Sequence, residues 1–168
     1  MAMHKLSLIT AGPEQTQALG ARIGALAQGN DIYLLTGALG AGKTCLVQGI
    51  AFGLGIKEYA CSPSFMIARE YRGRLKLNHL DLYRLDHIEE IADLGIEEYC
   101  NTGSVCAIEW AEKGSGILPG DNLTVHLEYA GENDRKIVLE PHGHRYNELL
   151  KQLSDNLNRD GKGKWNFL

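Results

Sequence analysis

The chain has 168 residues, 44% of them hydrophobic, which is enough for one domain with a substantial core and too few for two ordinary domains. Its formal net charge of −4 argues against a large nonspecific nucleic-acid surface, because such surfaces depend on many Lys and Arg contacts to phosphate. No apolar stretch approaches bilayer length and residues 1–10 lack the pattern of a signal peptide, so we expect a cytoplasmic protein without membrane contact.

The first predicted elements are a helix and a strand. Residues 13–27 place Leu19, Ile23 and Leu26 on one helical face, which predicts an amphipathic helix. The short apolar run 32–35 then predicts a buried strand.

A phosphate-binding loop follows this strand. Residues 37–44, Gly-Ala-Leu-Gly-Ala-Gly-Lys-Thr, match G-x-x-x-x-G-K-[ST] at every fixed position, and the apolar spacing from Leu46 to Leu54 predicts a helix directly behind them. Glycines let such a loop curl, so that its N–H groups and the positive helix end hold a polyphosphate. The predicted nucleotide contacts are Gly37, Leu39, Gly40, Ala41, Gly42, Lys43, Thr44 and Cys45. A chance glycine-rich turn is the alternative, and the flanking strand and helix disfavour it.

Three side chains at the end of the loop have predicted chemical roles. Lys43 is placed to reach the β and γ phosphates, and the Thr44 hydroxyl to ligate Mg²⁺. Cys45 follows at a helix N-terminus, where a thiol pKa can be lowered, although a small space-filling residue is the simpler interpretation. The four cysteines show no C-x-x-C spacing, so we expect free thiols.

Residues 62–65, Ser-Pro-Ser-Phe, lie between the helix that follows the loop and the next predicted strand, where nucleotide-sensing switch segments sit. The hydroxyls of Ser62 and Ser64 are candidate sensors of the γ-phosphate. An ordinary Ser-Pro turn is the alternative.

Two predicted strands each finish in a carboxylate, at Asp81 and at Glu109. A nucleotide bound with Mg²⁺ needs an acidic group there, to hold the metal or to orient the attacking water. The alternatives are a surface acid at Glu109 and a structural ion pair between Asp81 and Arg84. Trp110 follows Glu109 and is expected either to shield the site, to meet a partner or to pack in the core. Between the strands, residues 88–99 predict one helix with a solvated acidic face.

The last third predicts a hairpin and a helix. Alternating apolar residues over 123–129, a turn at 131–134 and a return over 137–139 favour an antiparallel hairpin at a sheet edge. Residues 146–157 carry leucines at helical spacing, and residues 158–168 are expected to be a frayed tail. We therefore predict a single α/β domain over 1–168, a P-loop NTPase-like three-layer fold whose mixed, mainly parallel sheet is flanked by helices.

Five motifs in this order together resemble the TsaE (YjeE) family. They are G-x-L-G-A-G-K-T, S-P-[ST]-[FY], H-x-D-x-Y-R, D-x-G-x-x-E-Y and Ile-Glu-Trp at 108–110, over about residues 10 to 140. The resemblance implies an ATPase of the bacterial machinery that places threonylcarbamoyl on the adenosine beside the tRNA anticodon. It also implies ATP and Mg²⁺ as cofactors, TsaB and TsaD as partners, and tRNA contact only through that complex.

The resemblance also implies roles for individual residues. Lys43 corresponds to the phosphate lysine, Thr44 and Glu109 to the metal site, Asp81 to a residue needed for hydrolysis and Trp110 to one linked with activity. Thr16 resembles a position near the nucleotide base, and Arg135 a basic residue that reaches toward the nucleotide. Two residues depart from the family pattern: Ala38 replaces an acidic residue, and Ser64 replaces a commoner threonine while keeping its hydroxyl.

Two other functions use the same loop. A small-molecule kinase would need an arginine-bearing lid, for which Arg69, Arg72 and Arg74 are the candidates, and an acceptor motif that we do not find. In a nucleotide-gated binding module, bound ATP would fix the switch segment and hydrolysis would be incidental. An ATPase that cycles within a protein complex and hydrolyses slowly when alone is favoured. Its arginine finger comes either from Arg84 or from a partner, and a partner's arginine would explain the slow hydrolysis in isolation.

Overall fold

The computed structural model describes residues 4–63 and 66–168, which form a mixed sheet with helices on both faces. The strands are β1 (Leu6–Ala11), β2 (Ile32–Thr36), β3 (Ala68–Arg72), β4 (Lys76–Asp81), β5 (Val105–Glu109), β6 (Asn122–Tyr129), β7 (Asp134–His142) and β8 (Asn166–Phe167). The helices are α1 (Pro13–Leu26), α2 (Lys43–Gly53), α3 (Ile88–Ala92), α4 (Ile96–Cys100) and α5 (His144–Asn158), with a 3₁₀ turn at Ala111–Gly114. None of the helices within these ranges is long and apolar enough to cross a membrane.

The strand order is β3-β4-β5-β2-β6-β7-β1-β8, and the four central strands β4, β5, β2 and β6 run parallel. Antiparallel strands complete both flanks, among them the predicted hairpin of β6 and β7. Because parallel strands end at the same sheet edge, Asp81 of β4 pairs in register with Glu109 of β5, which pairs in turn with Leu35 of β2. The predicted P-loop type of α/β fold is confirmed.

Two hydrophobic layers cover the sheet, as the pattern of β2 requires. Tyr33 and Leu35 point into a core shared with α1, α2 and α5, whereas Ile32 and Leu34 point into a second core shared with α3 and α4. Side chains of a strand alternate between faces, so a strand buried on both sides reads as a continuous apolar run. The three predicted layers follow from this arrangement.

Helices α1 and α2 pack at backbone contact distance through glycines. A Cβ atom at Gly20 would lie 2.3 Å from the Leu46 carbonyl oxygen, and one at Gly49 would lie 2.1 Å from the Gln17 carbonyl oxygen. No side chain fits at either position without moving a helix backbone. The first residues of α2, Lys43 and Thr44, are thereby held on a helix that lies directly against α1.

The predicted single helix over 88–99 is wrong in one respect, because the structure divides it into α3 and α4. Gly95 between them has φ 67°, the left-handed backbone conformation that ends or turns a helix. The break lets Ile91 and Ile96 both face the core, while Glu89 and Glu97 stay exposed as predicted.

The expectation of a frayed tail over 158–168 is also wrong. Phe167 of β8 pairs with Leu8 of β1, and the Leu168 N–H donates to the Ser7 carbonyl oxygen. Trp165 is buried, and its Nε1–H donates to Asp160 Oδ2 at 2.8 Å. The glycine- and lysine-rich stretch 161–164 is exposed, but the buried Trp165 follows it and holds the end of the chain against the sheet.

Candidate functional site

The phosphate-binding loop joins β2 to α2, as predicted. Gly42, which precedes α2, has φ 106°, a left-handed backbone conformation that favours glycine. The Lys43 side chain folds back over the loop, where its Nζ donates to the carbonyl oxygens of Gly37 at 2.5 Å and Ala38 at 2.9 Å. Its ammonium group also lies 4.0 Å from the centre of the Trp110 ring, a cation–π contact.

The environment of Lys43 changes its pKa. Burial lowers this pKa from its ordinary value, and the nearby carboxylates of Glu109, Glu112 and Asp81 oppose the shift. A buried ammonium group surrounded by carboxylates and carbonyl oxygens is a point charge available to an anionic ligand.

A cavity of about 610 Å³ opens beside the loop and α2. Most of the predicted site residues line this cavity: Leu39, Gly40, Gly42, Lys43, Thr44, Cys45, Ser62, Asp81, Arg84, Glu109 and Trp110. Pro63, Ile67 and Tyr83 complete its wall. Ser64 lies outside the described residues. Ala41 is buried, and Gly37 lies at the start of the loop. Segments far apart in the chain therefore converge on one concave site.

Thr44 and Glu109 meet directly in this cavity. The Thr44 Oγ1–H lies 2.8 Å from Glu109 Oε1 and 3.0 Å from Oε2, and the Glu109 residue is only 2% exposed. The surface-acid interpretation of Glu109 is therefore wrong. Glu109 Oε2 also lies 2.5 Å from Nε2 of His79, a fully buried residue of β4 that sequence reasoning did not select. The alternation of β4, which places His79 and Asp81 on one face, could have indicated it.

Asp81 is linked to the predicted switch segment. Ser62 Oγ–H donates to Asp81 Oδ2 at 2.6 Å, and the Tyr83 N–H donates to Oδ1 at 2.9 Å. Both oxygens of this half-buried carboxylate are thus held at the cavity wall. Arg84, the residue after Tyr83, lines the same cavity.

Trp110 has an unusual backbone conformation, with φ 57° in the left-handed region. Such a conformation is strained for a residue with a side chain and marks a local constraint. It directs the indole toward Lys43 and against the Tyr83 ring, whose centroid lies 5.0 Å away. Trp110 therefore covers the lysine at the cavity rim, and it also packs, partly buried, against the second hydrophobic core.

Glu112 is a second residue that the sequence analysis missed. It lies in the 3₁₀ turn after Trp110, and its Oε2 accepts a hydrogen bond from the Gly37 N–H at 3.1 Å. The first amide of the loop thus already binds an anionic oxygen of the chain itself. An acidic residue in a short turn carries no distinctive pattern, so no sequence signal pointed to this contact.

Tyr129 and Arg135 of the β6–β7 hairpin contact the outer side of the loop. Tyr129 Oη–H donates to the Leu39 carbonyl oxygen at 2.7 Å, and Arg135 Nη2 donates to that of Gly40 at 3.3 Å. The Arg135 guanidinium stacks 4.3 Å from the Tyr129 ring centre. Arg135 thus reaches the loop, although its predicted contact with nucleotide stays a prediction.

Thr16 is not brought to the cavity wall. It is buried in α1, where its Oγ1 forms a hydrogen bond of 2.7 Å with Thr10 Oγ1. Its methyl group faces Gly42, where an added Cβ would lie 3.9 Å away. Thr16 therefore supports the loop from behind, and the structure gives no contact between it and a base-binding surface.

A lowered Cys45 pKa, the less favoured of the two interpretations of this residue, is contradicted. Burial raises the pKa of this thiol, the Glu14 carboxylate adds to the shift, and Arg135 opposes it. Its Sγ lies 3.2 Å from the Pro13 carbonyl oxygen. All four cysteines are free, as expected.

The arginines considered as a kinase lid lie elsewhere. Arg74 Nη2 donates to the carbonyl oxygens of Gly24 and Ala27, both at 3.0 Å, at the far end of α1. Arg72 pairs with Glu70 on the edge strand β3. Within the described wall of the cavity, none of the three candidate arginines is present. The lid that a kinase requires is therefore not formed by these residues.

The donor set at the cavity suits a hard divalent cation. The Thr44 hydroxyl and the Glu109 and Asp81 carboxylates supply only oxygen, which Mg²⁺ prefers. In the described ranges, no group of three or more His, Cys, Asp or Glu side chains could hold a metal ion alone. Mg²⁺ that travels with a nucleotide needs only one or two protein ligands, because phosphates and waters supply the rest. The residues present therefore fit this ion.

Comparison with known proteins gives one family. Its sequence model, described as "Threonylcarbamoyl adenosine biosynthesis protein TsaE", matches residues 10–137. The chain is 40% identical over 153 residues to the tRNA threonylcarbamoyladenosine biosynthesis protein TsaE of Bacillus subtilis, covering 90% of this chain and 96% of that protein. It is 38% identical over 131 residues to the TsaE protein of Treponema pallidum, covering 78% and 97%.

A solved structure agrees with the sequence comparisons. The crystal structure of YdiB from Bacillus subtilis superposes with a TM-score of 0.81 at 36% identity, covering 94% of this chain and 99% of that one. The matched sequence region includes the loop, Asp81, Glu109 and Trp110. The chain therefore belongs to the TsaE family of threonylcarbamoyl adenosine biosynthesis proteins.

Proposed function

We propose that this protein is a Mg²⁺-dependent ATP-binding and ATP-hydrolysing subunit required for threonylcarbamoyl modification of the adenosine next to the tRNA anticodon. It acts in the cytoplasm with TsaB and TsaD, and tRNA is contacted through that complex. The observation that carries the proposal is the direct contact between Thr44 and Glu109 in the cavity that Lys43 also lines. The family to which the chain belongs supports the tRNA-modification role.

Binding begins at the loop amides and the N-terminus of α2, which hold the phosphates. Lys43 Nζ exchanges its hydrogen bonds to the Gly37 and Ala38 carbonyl oxygens for bonds to phosphate oxygens. The Trp110 ring, already in contact with this ammonium group, limits access of water to it.

Thr44 and Glu109 would hold Mg²⁺, which when bound neutralises charge on the β and γ phosphates. Asp81 orients the attacking water and accepts its hydrogen bond, while Ser62 and the Tyr83 N–H keep the carboxylate in place. The same Ser62 contact connects this carboxylate to the switch segment, so a change in that segment alters the position of Asp81.

Hydrolysis by the isolated chain is expected to be slow. An arginine that stabilises the charge of the transferred phosphoryl group accelerates such reactions by about 10³ to 10⁵. Arg84 at the cavity wall is the candidate within the chain, and TsaB or TsaD is the other source. Turnover measured with and without these partners separates the two: an unchanged rate would count against activation by partners.

The proposal is tested with two substitutions in the cavity wall. Lys43→Ala is expected to weaken ATP binding about 100-fold, because it removes charge-assisted hydrogen bonds to phosphate. Glu109→Gln is expected to retain Mg²⁺-free ATP binding through the loop and Lys43, and to lose most of the affinity that Mg²⁺ adds together with about 100-fold in phosphate release. Calorimetry with ATP and Mg²⁺ measures the first effect, and phosphate release without any added acceptor measures the second.

Lys57→Ala, an exposed lysine outside the cavity, is the matched control for charge removal. Absence of ATP binding by the folded wild-type protein would refute the proposal. If Glu109→Gln still sustained repeated tRNA modification with TsaB and TsaD, ATP would act as a gate and its hydrolysis would not be required.

A further inference from the structure

His79 is a buried polar residue to which the scheme above gives no role. It lies in β4, two residues before Asp81, and is 0% exposed. Its backbone is held between two strands, because it pairs with Ala107 of β5 and with Arg69 of β3. The backbone of His79 is therefore held within the sheet, and its side chain is buried.

The polar contact that the structure gives the His79 ring is made to Glu109. Nε2 lies 2.5 Å from Glu109 Oε2, while Nδ1 is buried without a hydrogen-bond partner in the described part of the chain. A carboxylate accepts hydrogen bonds, so we assign the ring hydrogen to Nε2. A buried ring with one unsatisfied nitrogen is costly for folding, which suggests a role for the nitrogen that is satisfied.

Two donors together fix the Glu109 carboxylate. Thr44 Oγ1 lies 2.8 Å from Oε1 and 3.0 Å from Oε2, and His79 Nε2 lies 2.5 Å from Oε2. One donor alone would leave the terminal torsion of the glutamate free to rotate. A Thr44 hydroxyl that ligates a cation through an oxygen lone pair has a single hydrogen left to donate to Glu109, and His79 supplies the second donor.

We propose that His79 is a positioning residue that holds the Glu109 carboxylate in the orientation that binds the Mg²⁺–nucleotide complex. This inference rests on the proposed function. His79 touches neither nucleotide nor water in this scheme; it acts through Glu109, as a residue behind a metal ligand commonly does. The competing explanation is a histidine that only fills space in the core.

Three substitutions separate these explanations. His79→Phe keeps the ring volume and removes the donor. In His79→Gln the side-chain amide can reach the place of Nε2, whereas in His79→Asn it stops short of Glu109. The measurement is the ATP dissociation constant by calorimetry, with and without Mg²⁺, together with the melting temperature. Asn78→Leu is the control, because Asn78 is a buried polar residue of the same strand whose amide bonds to Tyr99 and Ser104 instead.

The expected result concerns the gain in ATP affinity that Mg²⁺ provides. The factor by which Mg²⁺ raises the ATP affinity should be about 10-fold to 100-fold smaller in His79→Phe and His79→Asn than in wild type. Their Mg²⁺-free affinity should stay within about twofold of wild type, because loop amides and Lys43 hold the phosphates. His79→Gln should restore most of the gain. Asn78→Leu should lower the melting temperature and keep the gain.

Several outcomes would overturn the inference. The first is that Mg²⁺ raises the ATP affinity of His79→Phe or His79→Asn as much as that of wild type. The second is that His79→Gln loses as much of this gain as His79→Asn. The third is that the variants lose ATP affinity equally with and without Mg²⁺. Failure of all three variants to fold would assign His79 a structural role and would also reject the proposal. Absence of ATP binding by wild-type protein is a different result, since it refutes the proposed function itself.

Discussion

Two buried carboxylates, at opposite ends of the parallel strands, differ in the groups that surround them. Asp31 precedes β2 and is 2% exposed, and Glu109 ends β5 and is also 2% exposed. Asp31 receives two hydrogen bonds from the Arg145 guanidinium, at 2.9 and 2.7 Å, and one from the Tyr33 hydroxyl at 2.9 Å. Glu109 instead receives the Thr44 hydroxyl and the His79 ring, and it lies at the wall of a cavity.

The difference lies in where the balancing charge comes from. Asp31 pairs with a cationic side chain of its own chain, so its negative charge is already compensated in the folded protein. Glu109 has a geometry that leaves its charge available to a cation that arrives with a ligand. A buried carboxylate that is paired within the chain, as Asp31 is, stabilises the folded protein. A buried carboxylate that is left available to a cation, as Glu109 is, lowers the free energy of unfolding but can contribute to binding.

The largest expected effect comes from breaking the structural pair. Asp31→Asn should lower the free energy of unfolding by about 3–5 kcal/mol, because the partly buried Arg145 guanidinium then lacks its counter-charge. Urea unfolding measures this loss, and the affinity for ATP should not change. Asp155→Asn, an exposed aspartate of α5, is the control, and it should stay within about 0.5 kcal/mol of wild type. Equal stabilities of the two variants would contradict the comparison.

Alkaline pH should lower the free energy of unfolding through a tyrosine at the end of the sheet where Asp31 lies. Burial raises the pKa of Tyr146 to about 12, and its oxygen accepts the Ile32 N–H at 2.8 Å. The folded-state pKa lies above the unfolded value of about 10, so the protonated phenol stabilises the folded protein below pH 10. This contribution is lost as the pH rises from about 10 toward 12.

Urea unfolding at several pH values tests this expectation. Tyr146→Phe should show a shallower loss of stability between pH 10 and 12 than wild type, because the titrating group is gone. Tyr59→Phe, at a tyrosine that is 59% exposed, is the matched control. Identical slopes for wild type and Tyr146→Phe would count against this assignment.

Removal of the Glu109 charge should not lower the free energy of unfolding as removal of the Asp31 charge does. Glu109→Gln should leave the free energy of unfolding unchanged or raise it by about 1 kcal/mol, because a buried charge disappears while its oxygen can still accept hydrogen bonds. The measurement is urea unfolding without nucleotide or Mg²⁺. A loss as large as that of Asp31→Asn would show that Glu109 is a structural residue.

The smallest expected effect concerns Glu112. Its carboxylate occupies the Gly37 N–H and repels incoming phosphate, so Glu112→Gln should tighten ATP binding about threefold at low salt. Added salt should reduce the difference between the variant and wild type. Glu148→Gln, an exposed position of α5, is the control. Weaker ATP binding by Glu112→Gln would mean that the carboxylate supports the loop.

Much of the fold could be predicted because local pattern and tertiary structure agree there. The loop 37–44 has a fixed spacing with one physical meaning, and the apolar runs that end in Asp81 and Glu109 became strands that end at one sheet edge. Parallel pairing then placed Asp81 beside Glu109, which contacts Thr44, without any further signal in the sequence.

The missed features depend on long-range contacts. The pairing of residues 166–167 with β1 joins the two ends of the chain, and no local pattern in so short a strand reveals it. His79 and Glu112 act through partners 30 and 75 residues away in sequence. The helix break at Gly95 was visible as a glycine, but the acidic periodicity across it favoured one helix.

The glycine contacts between α1 and α2 restrict where the molecule can change shape. Backbones that touch at Gly20 and Gly49 leave no space for sliding or rotation of α2 against α1. Spectroscopic probes placed on the outer faces of these two helices should therefore report the same separation before and after ATP and Mg²⁺ are added. Displacements should instead be found in the rim, at Ser62 and at Trp110 to Lys113, and that rim is the region where labels should be placed.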